Sequence, residues 1–285
     1  MSLAAVALIL GAAGIHASWN LLVKRVNGGP PFLWLFSALS ALVYAPLAAI
    51  VLLVERPALG PAQWLFLLGS GLMQVVYFLL LQHGYRVGDL SVVYPLARGT
   101  GPLLATIGAI IILGERPGPL ALLGGLLIIG GVFALAGGAS LLRQRPDIGV
   151  IFGVLVGVAI ATYTLWDKHA VSALDIPPLL LTWDQMLVLT LALSPLALRR
   201  QPEIARLWRC NRRQAFVIAL FCPLAYILVL TALRFTAVSY VAPAREISIL
   251  IGTFMGARLL SEGALRQRLA AAGVMVVGIG LLVLA

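Results

Sequence analysis

Two arginines stand inside stretches long and apolar enough to span a bilayer. Arg98 lies in residues 89–117, DLSVVYPLARGTGPLLATIGAIIILGERP, and Arg245 lies in residues 237–263, AVSYVAPAREISILIGTFMGARLLSEG. The second stretch repeats the first. Ser91 and Pro95 match Ser239 and Pro243, while Ala97-Arg98 and Glu115 match Ala244-Arg245 and Glu262 after one deletion. A guanidinium stays charged when desolvated and pairs bidentately with a carboxylate or a phosphate. Burying one at a helix centre costs about 2.5–3.5 kcal/mol, so an ionisable residue inside a span points to a functional site. Glu246 can neutralise one arginine and lock the two copies together, but it cannot fully satisfy both. The surplus charge calls for an anionic group on a ligand. Pro95, Gly99, Gly101 and Pro102 are expected to loosen the helix around Arg98.

Other residues could complete such a site. His16, Trp19 and Asn20 are spaced i, i+3, i+4 and share one helix face, and Thr162, Tyr163 and Trp166 form the corresponding cluster in the second copy. Gln74, Tyr77 and Phe78 in the third span, Tyr94 beside Pro95 and Tyr226 in the eighth suit the same pocket. Aromatic rings with a polar handle can hold an apolar side chain and a charged head together. The competing reading is ordinary helix packing, with His16 hydrogen-bonded to a neighbour. Glu246 and Asp184 are the embedded carboxylates, and each has a candidate arginine partner. Weak or absent obligatory proton coupling is therefore expected. Glu115 and Glu262 close the fourth and ninth spans, where they cap helices or pair with loop arginines. Gly124-Gly125, Gly130-Gly131, Gly273, Gly278 and Gly280 allow close approach between helices.

The elements that must position these residues are membrane helices. The chain is 61% hydrophobic and only 11% charged, which excludes an ordinary soluble domain. Ten spans fit, at 3–23, 31–54, 62–85, 90–113, 118–138, 148–167, 177–198, 214–233, 238–260 and 268–285. The first reads as a retained span, lacking a basic leader and a small-residue cleavage site. The longer connections are 139–147 and the Arg-rich 199–213. Residues 17–24, ASWNLLVK, align with residues 161–168, ATYTLWDK, and Arg86 aligns with Arg234. These echoes divide the chain into a first five-helix repeat, 1–142, and a second, 143–285. Five is odd, so the second half enters from the opposite face. The result is an all-α inverted repeat with its site near the midplane. The net charge of +10 belongs to helix ends and not to nucleic-acid binding. Basic residues gather on the face opposite the termini (Lys24, Arg25, Arg86, Arg143, Arg145, Arg199, Arg200, Arg206, Arg209, Arg212, Arg213, Arg258, Arg266 and Arg268). Arg56, Arg116, Lys168 and Arg234 lie on the termini's own face. That asymmetry puts both termini in the periplasm of a bacterial inner membrane. Cys210 and Cys222 make no disulfide framework.

With Trp19-Asn20 and Lys24 closing the first span, Pro95 and its small-residue run, and the helix end Leu113-Gly114-Glu115-Arg116-Pro117 echoed by Leu260-Ser261-Glu262, the chain resembles the drug/metabolite transporter superfamily in its ten-helix EamA-type branch. The resemblance implies export of amino acids and other metabolites. It also implies a central cavity lined by spans 1, 3, 4, 6, 8 and 9, with spans 5 and 10 behind it. Many such relatives are described with cytoplasmic termini, opposite to the charge count. No zinc spacing, P-loop or acid-base cluster is present, so the chain is expected to be no enzyme and to need no metal or cofactor. The first span has no embedded acid, which disfavours cationic drugs. The leading reading is an alternating-access carrier that exports carboxylate metabolites, most readily amino acids. It sits in lipid, binds no nucleic acid, and a monomer is plausible. A carrier of phosphorylated or phosphonate metabolites is the alternative, ahead of a membrane scaffold or enzyme.

Overall fold

A computed structural model describes residues 1–26, 28–88, 90–135, 148–251 and 265–285, and these form helices joined by short connections, with no strand. In chain order the helices are α1 (Leu3–Val26), α2 (Gly29–Val54), α3 (Pro61–Val87), α4 (Leu90–Ile112), α5 (Pro119–Leu135), α6 (Ile148–Ser172), α7 (Pro178–Arg199), α8 (Gln201–Phe235), α9 (Val238–Ala244) and α10 (Leu265–Leu284). Among the described residues, α1–α4 and α6–α8 are long and apolar enough to cross a membrane, and α5 and α10 are shorter apolar helices. The chain is an all-α membrane protein. Asp89, the 139–147 connection with Arg143 and Arg145, the repeat boundary at 142–143, Arg258 and the helix end 260–263 with Glu262 lie outside the described residues.

Helices from the two halves pack in matched pairs. α2 packs on α7, α4 on α9 and α5 on α10, each helix against its own counterpart; α1 on α8 answers α6 on α3, and α2 on α8 answers α7 on α3. Such pairing is what a pseudo-two-fold axis between two inverted five-helix units produces. Glycine sets the closest approach. A Cβ on Gly124 of α5 would stand 2.7 Å from the Gly278 carbonyl of α10, and the reverse holds at the same distance. Gly130, Gly273 and Gly280 face open space instead, so only part of the glycine set is there for packing. Large apolar side chains such as Leu42, Leu53, Leu72 and Ile111 point outward and are exposed, as a lipid-facing surface requires.

Two expectations about local structure are corrected. The Arg-rich segment 199–213 is not a loop. It is helical from Gln201, with a kink at Asn211, where φ is −130° and ψ is 23°. Leu207 is buried there, while Arg206, Arg209, Arg212 and Arg213 are exposed, which makes an amphipathic segment suited to the membrane surface. Nor does α4 loosen around Arg98, since it stays helical from Leu90 to Ile112. Its glycines are spent on contact: a Cβ on Gly99 would meet the Phe133 ring at 2.6 Å, and one on Gly101 would meet Ile160 at 2.8 Å. The break comes in the second copy. α9 ends at Ala244, and hydrogen bonds from Glu246 to Pro243 (3.0 Å), Ser248 to Arg245 (3.2 Å) and Ile249 to Glu246 (2.9 Å) tighten the backbone to i→i−3 spacing.

The α4 end shows why Gly114-Glu115 closes the span. Gly114 takes φ +68°, and the Glu115 N–H returns 3.1 Å to the Ala109 carbonyl, a Schellman closure. This aims Glu115 at the start of α9. Its carboxylate accepts from the Val238 N–H (2.7 Å), the Ser239 N–H (2.9 Å) and the Ser239 hydroxyl (2.7 Å). The capping role expected of Glu115 therefore acts across the two halves. Glu115→Ala should cost about 1–2 kcal/mol, as lost caps do, read as a lower thermal unfolding midpoint in detergent. An unchanged midpoint would show that the cap contributes nothing.

Candidate functional site

A cavity of about 100 Å³ lies between the halves. α1 brings His16 and Trp19, α3 brings Gln74, Tyr77 and Phe78, and α4 brings Arg98. α6 brings Tyr163, α8 brings Tyr226, and the turn after α9 brings Arg245 and Ser248. Among the described residues α5 and α10 supply no lining residue, whereas α7 contributes Thr182, Gln185 and Met186, which was not expected. The signal for α7 was the polar run around Asp184. The error was one of rotation, because Gln185 and not Asp184 reaches the cavity wall.

The two arginines have different roles. Arg98 is buried, with its Nε 2.9 Å from Glu246 Oε2 and an Nη 3.4 Å from the Ser248 hydroxyl. This ion pair joins the first half to the second. Arg245 is less buried, and its guanidinium carbon lies 5.5 Å from the centroid of the Tyr226 ring, a cation–π contact. Among the described residues no carboxylate comes within ion-pair distance of Arg245. Adjacent positions in a tight turn therefore send Glu246 to Arg98 and Arg245 to the cavity.

Aromatic rings build the walls. Tyr77 and Tyr163 meet edge to face at 5.6 Å, Tyr163 and Tyr226 at 6.2 Å, and His16 and Trp19 at 4.8 Å. Among the described residues the buried indole N–H of Trp19 has no partner. Five expected site residues stand outside the cavity lining. Trp166 stacks on Phe66 at 4.2 Å and donates to its carbonyl at 3.0 Å. Asn20 and Tyr94 interact with each other outside the lining. Glu246 serves Arg98. Thr162, grouped with Tyr163 in sequence, is exposed and bonds back to the Val158 carbonyl at 2.8 Å.

One buried acid was missed. α6 continues to Ser172, so Asp167 lies more than a turn inside it and is fully buried. Its carboxylate accepts from Ser70 of α3, from Tyr226 of α8 at 2.5 Å and from the Gln185 amide of α7 at 2.9 Å. The repeat alignment placed Asp167 at a span end, next to Lys168, where an acid is unremarkable. Asp184 is buried too, with one carboxylate oxygen unpartnered and no arginine in reach among the described residues. The arginine partner expected for it is absent from those residues.

A family model, the EamA-like transporter family, matches residues 3–137 and again 147–284. The chain belongs to the EamA-like transporter family. As a member it is a membrane transporter of the drug/metabolite type, and its family consists of transporters and not enzymes. The fold is shared with a protein of known crystal structure at TM-score 0.78 and 15% identity, over 100% of this chain and 98% of that one. No curated protein matches the chain. In this EamA-like carrier the Arg98–Glu246 pair is the only link of opposite charges between the halves among the described residues. Arg98→Met alone would leave Glu246 buried without its cation, at about 3–5 kcal/mol, whereas Arg98→Met/Glu246→Met should recover most of that loss. Unfolding midpoints in detergent read both, and a double variant no better than the single one would argue against the pair as a lock.

Proposed function

We propose that the chain exports small metabolites bearing a carboxylate, amino acids foremost, by alternating access. The observation that carries this reading is Arg245, a cation at the cavity wall without an acidic partner among the described residues. A substrate carboxylate would accept its guanidinium hydrogen bonds, and Trp19 offers a further unpartnered N–H nearby in the wall. The aromatic walls suit an apolar side chain, and about 100 Å³ falls below the range for drug-sized ligands. On this reading the carrier works as a monomer. The outward apolar side chains supply its contact with lipid. For export, the two halves would rock about the cavity, exposing it to each side in turn.

The test is transport by purified protein in liposomes, screened over amino acids, phosphorylated metabolites and cationic dyes. Amino acids should move and cationic dyes should not. Arg245→Ala should cut amino-acid transport tenfold or more, in line with about 1.5–3 kcal/mol for a hydrogen bond to a charged group. Arg245→Lys should restore part of it, because the fork geometry is lost. Full activity in Arg245→Ala would remove the basis of the reading, and movement of phosphorylated metabolites alone would reassign the same arginine to phosphate.

We also place both termini in the periplasm of a bacterial inner membrane. By the alternation of spans, the exposed arginines of the first part of α8 would lie on the face opposite the termini and contact anionic headgroups of the cytoplasmic leaflet. A reporter active only in the cytoplasm, fused after Ala285, should be silent. Activity there would invert the assignment.

A further inference from the structure

Behind the cavity wall, Asp167 forms a cluster that the transport reading leaves unused. It is fully buried, and the side chains it touches, Ser70, Gln185 and Tyr226, are all neutral and come from three other helices. Gly69 and Gly71 make that convergence possible: a Cβ on the first would meet the Trp166 indole at 2.6 Å, and on the second Val188 at 2.7 Å. Of the other charged groups, Arg245 stands across the Tyr226 ring from it. On its own helix, Lys168 is turned to the Leu233 and Thr236 carbonyls and His169 to the Phe66 ring. α7 also carries Asp184, and α3 supplies no charged group to the contact.

We propose that Asp167 is a proton-binding site coupled to substrate binding at Arg245. The cluster has a partner for either form of the acid. Charged, the carboxylate accepts from Ser70, Tyr226 and the Gln185 amide N–H. Among the described residues Gln185 Oε1 is buried and has no partner, while the amide nitrogen also donates to the Ser70 hydroxyl at 2.6 Å. A half-turn of that amide places the oxygen where the nitrogen lies, 2.9 Å from Asp167 Oδ2, ready to accept from the protonated acid, and the Ser70 hydroxyl turns its hydrogen from the acid to the same oxygen. The proton enters by Tyr226, which lines the cavity. A hydronium there protonates the phenol oxygen as the phenol passes its own hydrogen to Oδ2. Only O–H bonds form and break, and the cluster gains one positive charge.

The sign of the coupling follows from the shared ring. With Asp167 charged, its hydrogen bond from the Tyr226 hydroxyl makes the ring a better seat for the Arg245 cation, and its negative charge repels a substrate anion. Protonation removes both effects, so proton and carboxylate bind together and travel the same way. An outward substrate gradient then carries protons out with it. This step rests on the proposed carboxylate substrate, whereas the protonation of Asp167 itself does not.

Infrared pH-difference spectra of the purified protein without substrate test the site. The C=O band of a protonated carboxylic acid should disappear in Asp167→Asn and persist in Asp184→Asn. Its midpoint should move in Ser70→Ala, which serves if the Asn variant does not fold. A band that survives Asp167→Asn, one lost in Asp184→Asn, or a midpoint unmoved in Ser70→Ala overturns the site. In liposomes, a mixture of radiolabelled amino acids should accumulate up to about tenfold under a one-unit pH gradient. Asp167→Asn should keep exchange but accumulate nothing. Gradient-driven accumulation by that variant overturns the coupling. No uptake by the wild type overturns the coupling through the substrate reading, while the infrared result still decides the site.

Discussion

Four ionisable side chains at and behind the cavity, Arg98, Glu246, Arg245 and Asp167, have to be reconciled, and the Arg98–Glu246 pair does most of it. Isolated, either ion would cost several kcal/mol in the hydrocarbon region. Paired at 2.9 Å, they fix α4 of the first half against the turn that follows α9 of the second. Glu246 can reach Arg98 only because the backbone there tightens, and the same tightening turns Arg245 toward the cavity. The lock and the free cation are thus consequences of one break in one helix.

That break has to be held in place, and the holding comes from the opposite half. Glu115 ends α4 through the left-handed Gly114 and ties down the first residues of α9 with three hydrogen bonds. At the far end of the neighbouring span, the Lys168 ammonium donates to the Leu233 and Thr236 carbonyls and satisfies the last turn of α8. In lipid no water is at hand for these exposed backbone groups, so side chains must take its place. A short α9 can therefore be stable although few of its residues propagate the helix.

The sequence made the helix count, the pairing of halves and both arginines legible, because a charge in an apolar run and a recurrence of motifs are one-dimensional signals. Rotation about a helix axis is not. Asp184 and Gln185 are neighbours in sequence, yet Gln185 lines the cavity and Asp184 does not. Trp166 and Asn20 had the right spacing and the wrong partners, namely Phe66 and Tyr94. Asp167 escaped notice for a different reason. A span boundary drawn at that residue made it a surface acid, and five more helical residues bury it. Gly99 and Gly101 looked like helix breakers but are contact points, since glycine's missing side chain serves either purpose.

The charges explain why so polar a set can sit in the membrane without substrate. Arg98 and Glu246 cancel at contact, and Arg245 and Asp167 cancel at a distance, through the ring and hydroxyl of Tyr226. The second cancellation is the weaker one, since ring and hydroxyl separate the two charges. A carboxylate substrate, as proposed, would compete for Arg245 from the cavity side and leave Asp167 without its compensating cation. Among the described residues the partners of Asp167 are a hydroxyl, a phenol and an amide, none of them positively charged. The membrane interior then penalises the bare carboxylate. On the proposed reading the charge of Asp167 responds to what occupies the cavity, and Tyr226, in contact with both Arg245 and Asp167, is the side chain through which that response would pass.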